Sequence, residues 1–358
     1  MHRKKLNIVP SLLFRTDHNE WFEPVLFRLL ESIRESGKLT AAARTNNISY
    51  RHAWNLLNRG TDFFGVPLVE MRKGQGTQLS ALGEKLLWAD QRVKARLEPQ
   101  IASMASEFND EIQQILAGAH RVLRIHASHG YAVSLLPDIS EQLEINLQFR
   151  NPDEALAALQ RGDCDMASFH FPTCPALAEK ILEQYKHHLE GQDYQLIRLV
   201  TRQEGLMMRP ELAGSVQSLP DLVATQARFI GRDRHSGSRI LLNLLLEREG
   251  LGEEDINRMP QEELTHTAVA AFVASGMADV GFGVEAAARQ FGLEFIALTS
   301  EHYLLLCKKN GLPDDDLADL IRVVQNRTFR EQLEQVPGYA PDKPGEVTSF
   351  EQLITEDR

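Results

Sequence analysis

From Ser80 to about Leu116 the sequence has little turn chemistry apart from Pro99. Apolar residues fall at Leu82, Leu86, Val93, Leu97, Ile101, Met104, Phe108, Ile112 and Ile115; from Val93 on the steps are 4, 4, 3, 4, 4 and 3. That spacing predicts one long amphipathic helix with a sustained apolar stripe. Pro99 removes an intrahelical hydrogen bond, so a kink or break is expected near Leu97-Glu98. A helix this long outside a compact domain needs a partner for its stripe. The expectation is a homodimer, or a tetramer, formed through residues 80–118.

The two sides of this helix differ in charge. Residues 1–97 hold 16 Lys and Arg against 9 Asp and Glu, whereas 98–358 hold 23 against 41. A basic segment joined to an acidic body points to a polyanion as partner of the first and not of the second. The 358 residues suffice for two or three domains, and 43% hydrophobic with 25% charged residues is globular composition. The longest apolar runs, such as Tyr303–Cys307, are far too short to span a bilayer. The basic start Met1-His2-Arg3-Lys4-Lys5 is followed by Asn7, Pro10, Arg15 and Asp17, which interrupt any signal-peptide core. Cys164, Cys174 and Cys307 form neither a CxxC nor an even set, so no disulfide framework or zinc site is signalled. These features predict a soluble cytoplasmic chain without membrane contact.

The basic segment has a recognisable order. Phe22, Val25, Leu26, Leu29, Leu30 and Ile33 recur at helical spacing over Trp21–Arg34, and Gly37 stands as the residue that ends the helix. Thr40 is read as N-cap of a short second helix, Ala41–Asn46, whose alanines allow close packing. Ser49 caps a third helix from Tyr50 to about Phe64, with Trp54, Leu57 and Phe64 assigned to its packed side. Helix, short helix, turn and longer helix is the layout of a DNA-binding helix-turn-helix. Residues 67–79 then read as two short strands around a Gly-rich basic tip, a wing. The expected DNA contacts are Thr40, Ser49, Tyr50, Arg51, His52, Asn55 and Arg59, with Arg72 and Lys73 on the backbone.

At these residues a resemblance becomes specific. Leu29–Ile33, Leu39–Arg44, Ser49–Trp54 and Leu79–Glu84 resemble the amino-terminal domain of ModE-type molybdate-responsive regulators. Gly65–Glu70 is similar to LysR-type regulators, whose winged domain is related. The Ser-Tyr-x-x-Ala-Trp start and the Leu6–Arg15 segment favour ModE, and the resemblance implies a strand over Leu6–Arg15 added to the wing sheet. Both families dimerise through the following helix, which the resemblance adds to the stripe.

The acidic body alternates. Strand 121–127, helix through Leu135-Leu136, strand 143–149, helix 152–160 and strand 164–169 predict a parallel sheet with ligand loops at the strands' carboxyl ends. Strand 227–230, helices 236–249 and 265–275, strand 279–283 and helix 284–291 repeat the theme. Segments 196–201 and 295–298 sit where the chain crosses between two lobes. The fold expectation is therefore α+β and multidomain. It comprises a winged helix-turn-helix over 1–79, a linker helix over 80–118 and a two-lobed α/β domain over 119–335. Lobe 1 takes about 119–200 plus 298–335, lobe 2 about 201–297, and residues 336–358 form an extended tail.

The body in turn resembles the periplasmic-binding-protein-like sensor domain related to molybdate-binding proteins. The carrying residues are Gly162–His170, Ser236–Leu242, Glu263–His266 and, most specific, Ala268–Gly283. Where that family has Gly-Ser-Gly-Thr-Arg, this chain has His235-Ser236-Gly237-Ser238-Arg239. Read from the residues, the segment from Arg232 to Arg239 opens a long helix with free N–H groups, hydroxyls and the positive dipole end at one spot. The expected effector contacts are Ser128, His129, Ser168, Arg202, Arg234, Ser236, Gly237, Ser238 and Thr267. Donors without acceptors suit an ionised oxyanion. The resemblance points to molybdate or tungstate, while Arg202, Arg232, Arg234 and His129 suit a small carboxylate such as formate equally well.

These readings combine into a sequence-specific transcription regulator of double-stranded DNA, governed by a small anion, with neither cofactor nor metal and no catalysis. Among enzyme signatures the sequence has no HExxH, no GxSxG elbow and no P-loop. His126 and His129, or His187-His188 with Glu183, lack metal-site spacing, and His187-His188 is read as solvated. A cytoplasmic anion-binding protein or enzyme without a regulatory role is the rival of a different class.

Overall fold

The computed structural model describes residues 7–10, 15, 21, 24–72, 76–117, 122–140 and 143–357. The described residues divide into two compact units at Leu97/Glu98. No helix among them is long and apolar enough to cross a membrane.

In the first unit, α1 (Val25–Ser36), α2 (Leu39–Thr45) and α3 (Tyr50–Phe64) enclose a core of Leu26, Leu29, Leu30, Ile33, Ala42, Ala53, Leu56 and Leu57. Gly37 ends α1 in the left-handed region at φ 64°, donating its N–H to Ile33 O. Lys38, not Thr40, is the N-cap of α2: Leu39 is buried and starts the helix, leaving Thr40 exposed in its first turn. Ser49 caps α3 by accepting from His52 N at 3.1 Å. Trp54 is 38% exposed rather than packed, because the inward face of α3 is Ala53, Leu56, Leu57 and Gly60 and Trp54 stands one step round the helix.

Strands β1 (Val69–Arg72) and β2 (Gly76–Leu79) pair antiparallel, and the loop that carries Lys73 lies outside the described residues. Of the strand expected over Leu6–Arg15, residues 6 and 11–14 lie outside the described residues, residues 7–10 form no strand, and Arg15 makes only an isolated antiparallel bridge to Trp21. Helix α4 comes next, Ala81–Ala117, and runs unbroken through Pro99, contrary to the expected interruption. A single proline costs one hydrogen bond of a long ladder. Ser103 and Ser106 anchor the second half of α4, accepting from Phe149 N at 2.8 Å and Leu147 N at 3.0 Å. That attachment places the second half of α4, from Glu98 on, with the larger unit.

The second unit proceeds through β3 (Val122–Ala127), α5 (Tyr131–Ile139), β4 (Glu144–Phe149), α6 (Pro152–Arg161), β5 (Met166–Pro172), α7 (Pro175–Gln184), α8 (Lys186–Leu189) and β6 (Tyr194–Met208). It continues with α9 (Leu219–Thr225), β7 (Phe229–Arg232), α10 (Gly237–Arg248), β8 (Arg258–Glu263), α11 (His266–Ala274), β9 (Val280–Val284), α12 (Glu285–Gln290) and β10 (Glu294–Lys308). Last come α13 (Asp314–Gln325), α14 (Arg327–Leu333), β11 (Tyr339–Pro341), β12 (Val347–Thr348) and α15 (Phe350–Glu356).

The strand order is β4-β3-β5-β10-β6-β9-β7-β8. Strands β3, β4 and β5 are mutually parallel in one lobe, and β7, β8 and β9 in the other. Between them run β6 and β10, each 15 residues long and antiparallel, pairing β5 at one end and β9 at the other. The result is a mixed α/β, two-lobed domain whose lobes share two crossing strands.

Residues 336–358 are not an extended tail. Strands β11 and β12 add to β6, and α15 is fixed by a capping box between Ser349 and Gln352. Leu353 is fully buried beneath it, and Phe350 packs against Phe169 and Phe171. Arg198 pairs with Asp342 and Glu356, while both nitrogens of the His302 ring meet carboxylates, Asp342 at 2.6 Å and Asp357 at 3.0 Å. Proline and glycine shape the turns of this segment; its apolar and acidic residues then fasten it down.

Candidate functional site

Alternation along neighbouring strands brings polar side chains to one face. Ser168 and His170 on β5, Arg202 and Glu204 on β6, and Glu301 and Tyr303 on β10 are i, i+2 pairs, and all six are buried. Arg202 and Glu301 are direct partners in the register, as are His170 and Tyr303. Around them gather the carboxyl ends of the parallel strands: Ser128 and His129 after β3, Arg232 at the end of β7, and Ser238, His266 and Thr267 at the starts of α10 and α11.

The hydrogen bonds link the two lobes. Arg202 donates from Nε to Glu301 at 2.7 Å, and from Nη2 to His170 Nδ1 at 3.0 Å and to Glu204 at 3.2 Å. Ser238 donates to Glu204 at 2.9 Å, and His266 Nε2 lies 3.7 Å from the same carboxylate. Arg232 holds Leu264 O at 2.8 Å. The Ser128 N–H is taken by Ser168 Oγ at 2.8 Å, and Tyr303 donates to Ser128 O at 2.8 Å. Two glycines make room: a Cβ on Gly130 would sit 2.8 Å from the Tyr303 ring, and one on Gly283 would sit 2.7 Å from His266 Nδ1.

Among the described residues, several buried polar atoms in this chamber have no hydrogen-bond partner: Arg232 Nε, His170 Nε2, His266 Nδ1 and Glu204 Oε2. Arg202 Nη1 and the Tyr339 hydroxyl lie within reach of one another, yet neither makes a hydrogen bond of good geometry. Because Arg202 donates to His170 Nδ1, the neutral ring carries its proton on Nε2, so that atom is a free donor. Leaving such groups unsatisfied costs about 1–3 kcal/mol each. A ligand that accepted from Arg232 Nε and His170 Nε2 would recover that cost for these two donors.

The charges favour an anion. Burial, then Arg232 and Arg202, push His129 down to about 4. Burial and the same arginines lower His170 and His266 as well, so all three rings are neutral near pH 7. Burial alone would raise Glu301, but Arg202 and His170 hold it low and ionised. Burial and the neighbouring Glu301 raise Glu204 toward its protonated form. Glu301 is thereby paired with Arg202, while Arg232 has Asp233 as its strongest charged neighbour.

Of the expected contacts, Ser128, His129, Ser168, Arg202, Ser238 and Thr267 border this chamber, and Gly237 lies beside the His170 ring edge at a small enclosed space that also includes Pro152 and Glu301. Ser236 serves the backbone instead, capping α10 by accepting from Arg239 N at 3.2 Å and donating to Asp233 O at 2.8 Å. Arg234 is exposed and lines a separate surface cleft with Arg239, Glu253 and Arg258. Glu204, Glu301, Tyr303 and Tyr339 are not candidates from sequence, and His170 and His266 enter there only within the segments that carry the resemblance, not as expected contacts. The available signal was charge inside strands otherwise apolar, Arg202-x-Glu204 and Glu301-His302-Tyr303.

In the smaller unit, Tyr50, Arg51, His52 and Asn55 are exposed at the start of α3, and Thr40, Ser49 and Tyr50 border one shallow groove with Arg44. Arg59 donates to Trp21 O at 3.4 Å. His188, read from sequence as solvated, is buried at 9% exposure, its Nδ1 3.1 Å from Gln160 Oε1.

Comparison with known proteins gives a family and distant likenesses. A family model described as the PBP superfamily domain matches residues 136–325. The chain is 28% identical over 221 residues to the uncharacterized protein YvgK of Bacillus subtilis strain 168, covering 58% of this chain and 69% of that one. It is 27% identical over 127 residues to the molybdenum-pterin-binding protein MopB of Rhodobacter capsulatus, covering 33% of this chain and 46% of that one. Among solved structures, a peroxide-bound cysteine mutant of Corynebacterium glutamicum OxyR aligns with a TM-score of 0.45 at 16% identity, covering 86% of this chain and 92% of that one.

Proposed function

Since the chain belongs to the PBP superfamily through residues 136–325, we propose that its interlobe chamber is the receptor site for a small anion and that residues 25–79 pass the occupancy of that site to DNA. The observation that carries the reading is the buried set of unpartnered donors, Arg232 Nε and His170 Nε2, beside Arg202 between the two lobes. Molybdate or tungstate is the favoured anion. Fully ionised oxyanions accept hydrogen bonds and offer none, and a protein of related sequence is described as molybdenum-pterin-binding. Closure of the lobes around the anion supplies the differential contact that regulation requires.

The DNA-facing assignment rests on the exposed polar set Ser49, Tyr50, Arg51, His52 and Asn55 leading α3, followed by a hairpin, on the basic side of the chain. The winged helix-turn-helix is our reading of that unit. The homodimer is our reading of α4: with Ser103 and Ser106 turned to β4, Met104, Phe108 and Ile115 remain 61%, 48% and 83% exposed. The protein is thereby read as a regulator and not as an enzyme.

The deciding experiment is calorimetry or thermal shift of the full chain against molybdate, tungstate, sulfate and formate, repeated with Ser238→Ala and Ser128→Ala. A one-site anion at a hundredfold its Kd adds about 2.7 kcal/mol of stability. Stabilisation by molybdate and tungstate that weakens in Ser238→Ala supports the reading, and formate alone moves the assignment to a carboxylate. No stabilisation by any of the four removes the site.

A further inference from the structure

A second constellation lies outside the chamber. Asp153 in the first turn of α6 and His187 and His188 on α8 bring one ligand atom each to within 4.8 Å of one another. His188 Nε2 is 3.3 Å from Asp153 Oδ1. Two ligands about 2.0–2.1 Å from one ion at the tetrahedral angle stand about 3.3–3.4 Å apart, so this pair already has the spacing of shared coordination. The His187 and His188 rings are 4.0 Å apart between centroids.

The orientation of His188 is fixed from behind. Its Nδ1 meets Gln160 Oε1 at 3.1 Å, and its carbonyl accepts from Gln160 Nε2 at 2.9 Å and from the Tyr194 hydroxyl at 3.3 Å. Gln160 Oε1 only accepts, so Nδ1 is the protonated nitrogen and Nε2 presents its lone pair toward the Asp153 carboxylate. With Nδ1 held by Gln160, Nε2 and the Asp153 carboxylate oxygen are both placed to share one cation. An outer hydrogen bond that sets the tautomer of a ligating histidine is the usual companion of such a ligand.

The geometry points to a divalent transition-metal site on lobe 1, with Asp153, His187 and His188 as three protein ligands and water in the fourth position. Two imidazoles and one carboxylate suit Zn2+, with Co2+ as its spectroscopic substitute. His187 is the exposed member of the three. The site is independent of the anion reading, although Asp153 adjoins Pro152, which lines the same small space as Gly237 and His170.

The test uses the full chain, dialysed against EDTA and titrated with ZnCl2 by calorimetry and with CoCl2 by visible absorption. One equivalent of metal and intense tetrahedral Co2+ bands are expected. His187→Ala and Asp153→Asn change solvent-facing side chains, so their melting without metal should match the wild type while Zn2+ affinity falls at least about tenfold. Gln160→Ala, which touches no metal, should weaken binding by about 10- to 100-fold. Absence of a stoichiometric Zn2+ equivalent, or an equivalent whose affinity is unchanged in both His187→Ala and Asp153→Asn, overturns the proposal.

Discussion

Arg202 on β6 and Glu301 on β10 face one another across the crossing strands, and their side chains meet at 2.6 Å with neither more than 3% exposed. The pair lies on the two strands that the lobes share. Removing one partner of a buried pair typically costs about 3–5 kcal/mol, because the other charge is left uncompensated. Glu301→Gln keeps the shape and loses the charge. It should lower unfolding stability by about 3 kcal/mol in urea. Saturating molybdate should stabilise the variant more than the wild type, since the anion supplies the missing negative charge. Equal stabilisation of both would separate the pair from the ligand site.

The architecture was readable where a segment announces its own period. The apolar spacing of residues 25–64, Gly37 behind α1 and Ser49 ahead of α3 gave three helices close to their observed limits. The strand and helix alternation after residue 121 likewise gave parallel lobes. The chamber was harder, because β5, β6 and β10 are neighbours in space and distant in sequence. Nothing in one dimension sets Glu301 opposite Arg202. Ser236 and Ser238 show the same limit at short range. Two positions apart at one helix start, one hydroxyl caps the backbone and the other reaches Glu204. Residues 336–358 depart from the extended tail expected of their proline and glycine content, because Phe350, Leu353 and Ile354 anchor α15 to a core built from segments distant in sequence.

Acid should loosen the larger unit before it disturbs most proteins. His129, His170 and His266 have folded pKa values below the ordinary 6.5, that of His129 at about 4. Between those limits the unfolded chain binds protons that the folded chain does not, so stability present above pH 6.5 is lost as pH falls. Each such group contributes a slope of about 1.4 kcal/mol per pH unit. Glu204 acts the other way, its raised folded pKa favouring the folded state as pH drops toward 4.5. His302, held above its ordinary value by Asp342 and Asp357, also opposes the loss, and the net expectation is that stability falls from about pH 6 to 5. Urea midpoints at pH 7.5, 6 and 5 measure it, and a flat series contradicts neutral buried histidines.

On the DNA side, Arg51→Ala should cost about 1–3 kcal/mol at the operator and relax base preference. Lys73→Ala should weaken all sequences about equally and reduce the salt slope by about one unit. Arg59→Ala should matter less than Arg51→Ala, since Arg59 already spends a donor on Trp21 O. Fluorescence anisotropy on operator and scrambled duplexes at several salt concentrations distinguishes the three. Indistinguishable losses would mean that α3 does not read bases.

The carboxyl-terminal segment should be a structural strap of the larger unit. Leu353→Ala empties a fully buried position among Phe169, Phe171 and Ile181, and should cost about 2–5 kcal/mol. Urea unfolding measures it, and a loss below about 1 kcal/mol would mean that α15 does not pack onto this core in solution.

The apolar stripe on α4 makes the sharpest demand on assembly. Exposed large side chains at Met104, Phe108 and Ile115 recur at steps of 4 and 7, which keeps them on one side of the helix while Ser103 and Ser106 occupy the side facing β4. A second copy would bury the stripe at no cost in hydrogen bonding. Phe108→Asp places a charge in the middle of it, and removing that aspartate from water in a dimer is far costlier than the phenylalanine gain it replaces. The variant should therefore sediment as a monomer that keeps the wild-type melting profile of its folded units. Its affinity for a two-fold operator should fall by at least about tenfold, as the second half-site ceases to be intramolecular. Sedimentation velocity and anisotropy on one preparation give both numbers. A Phe108→Asp chain that remains dimeric would move the interface off this face of α4.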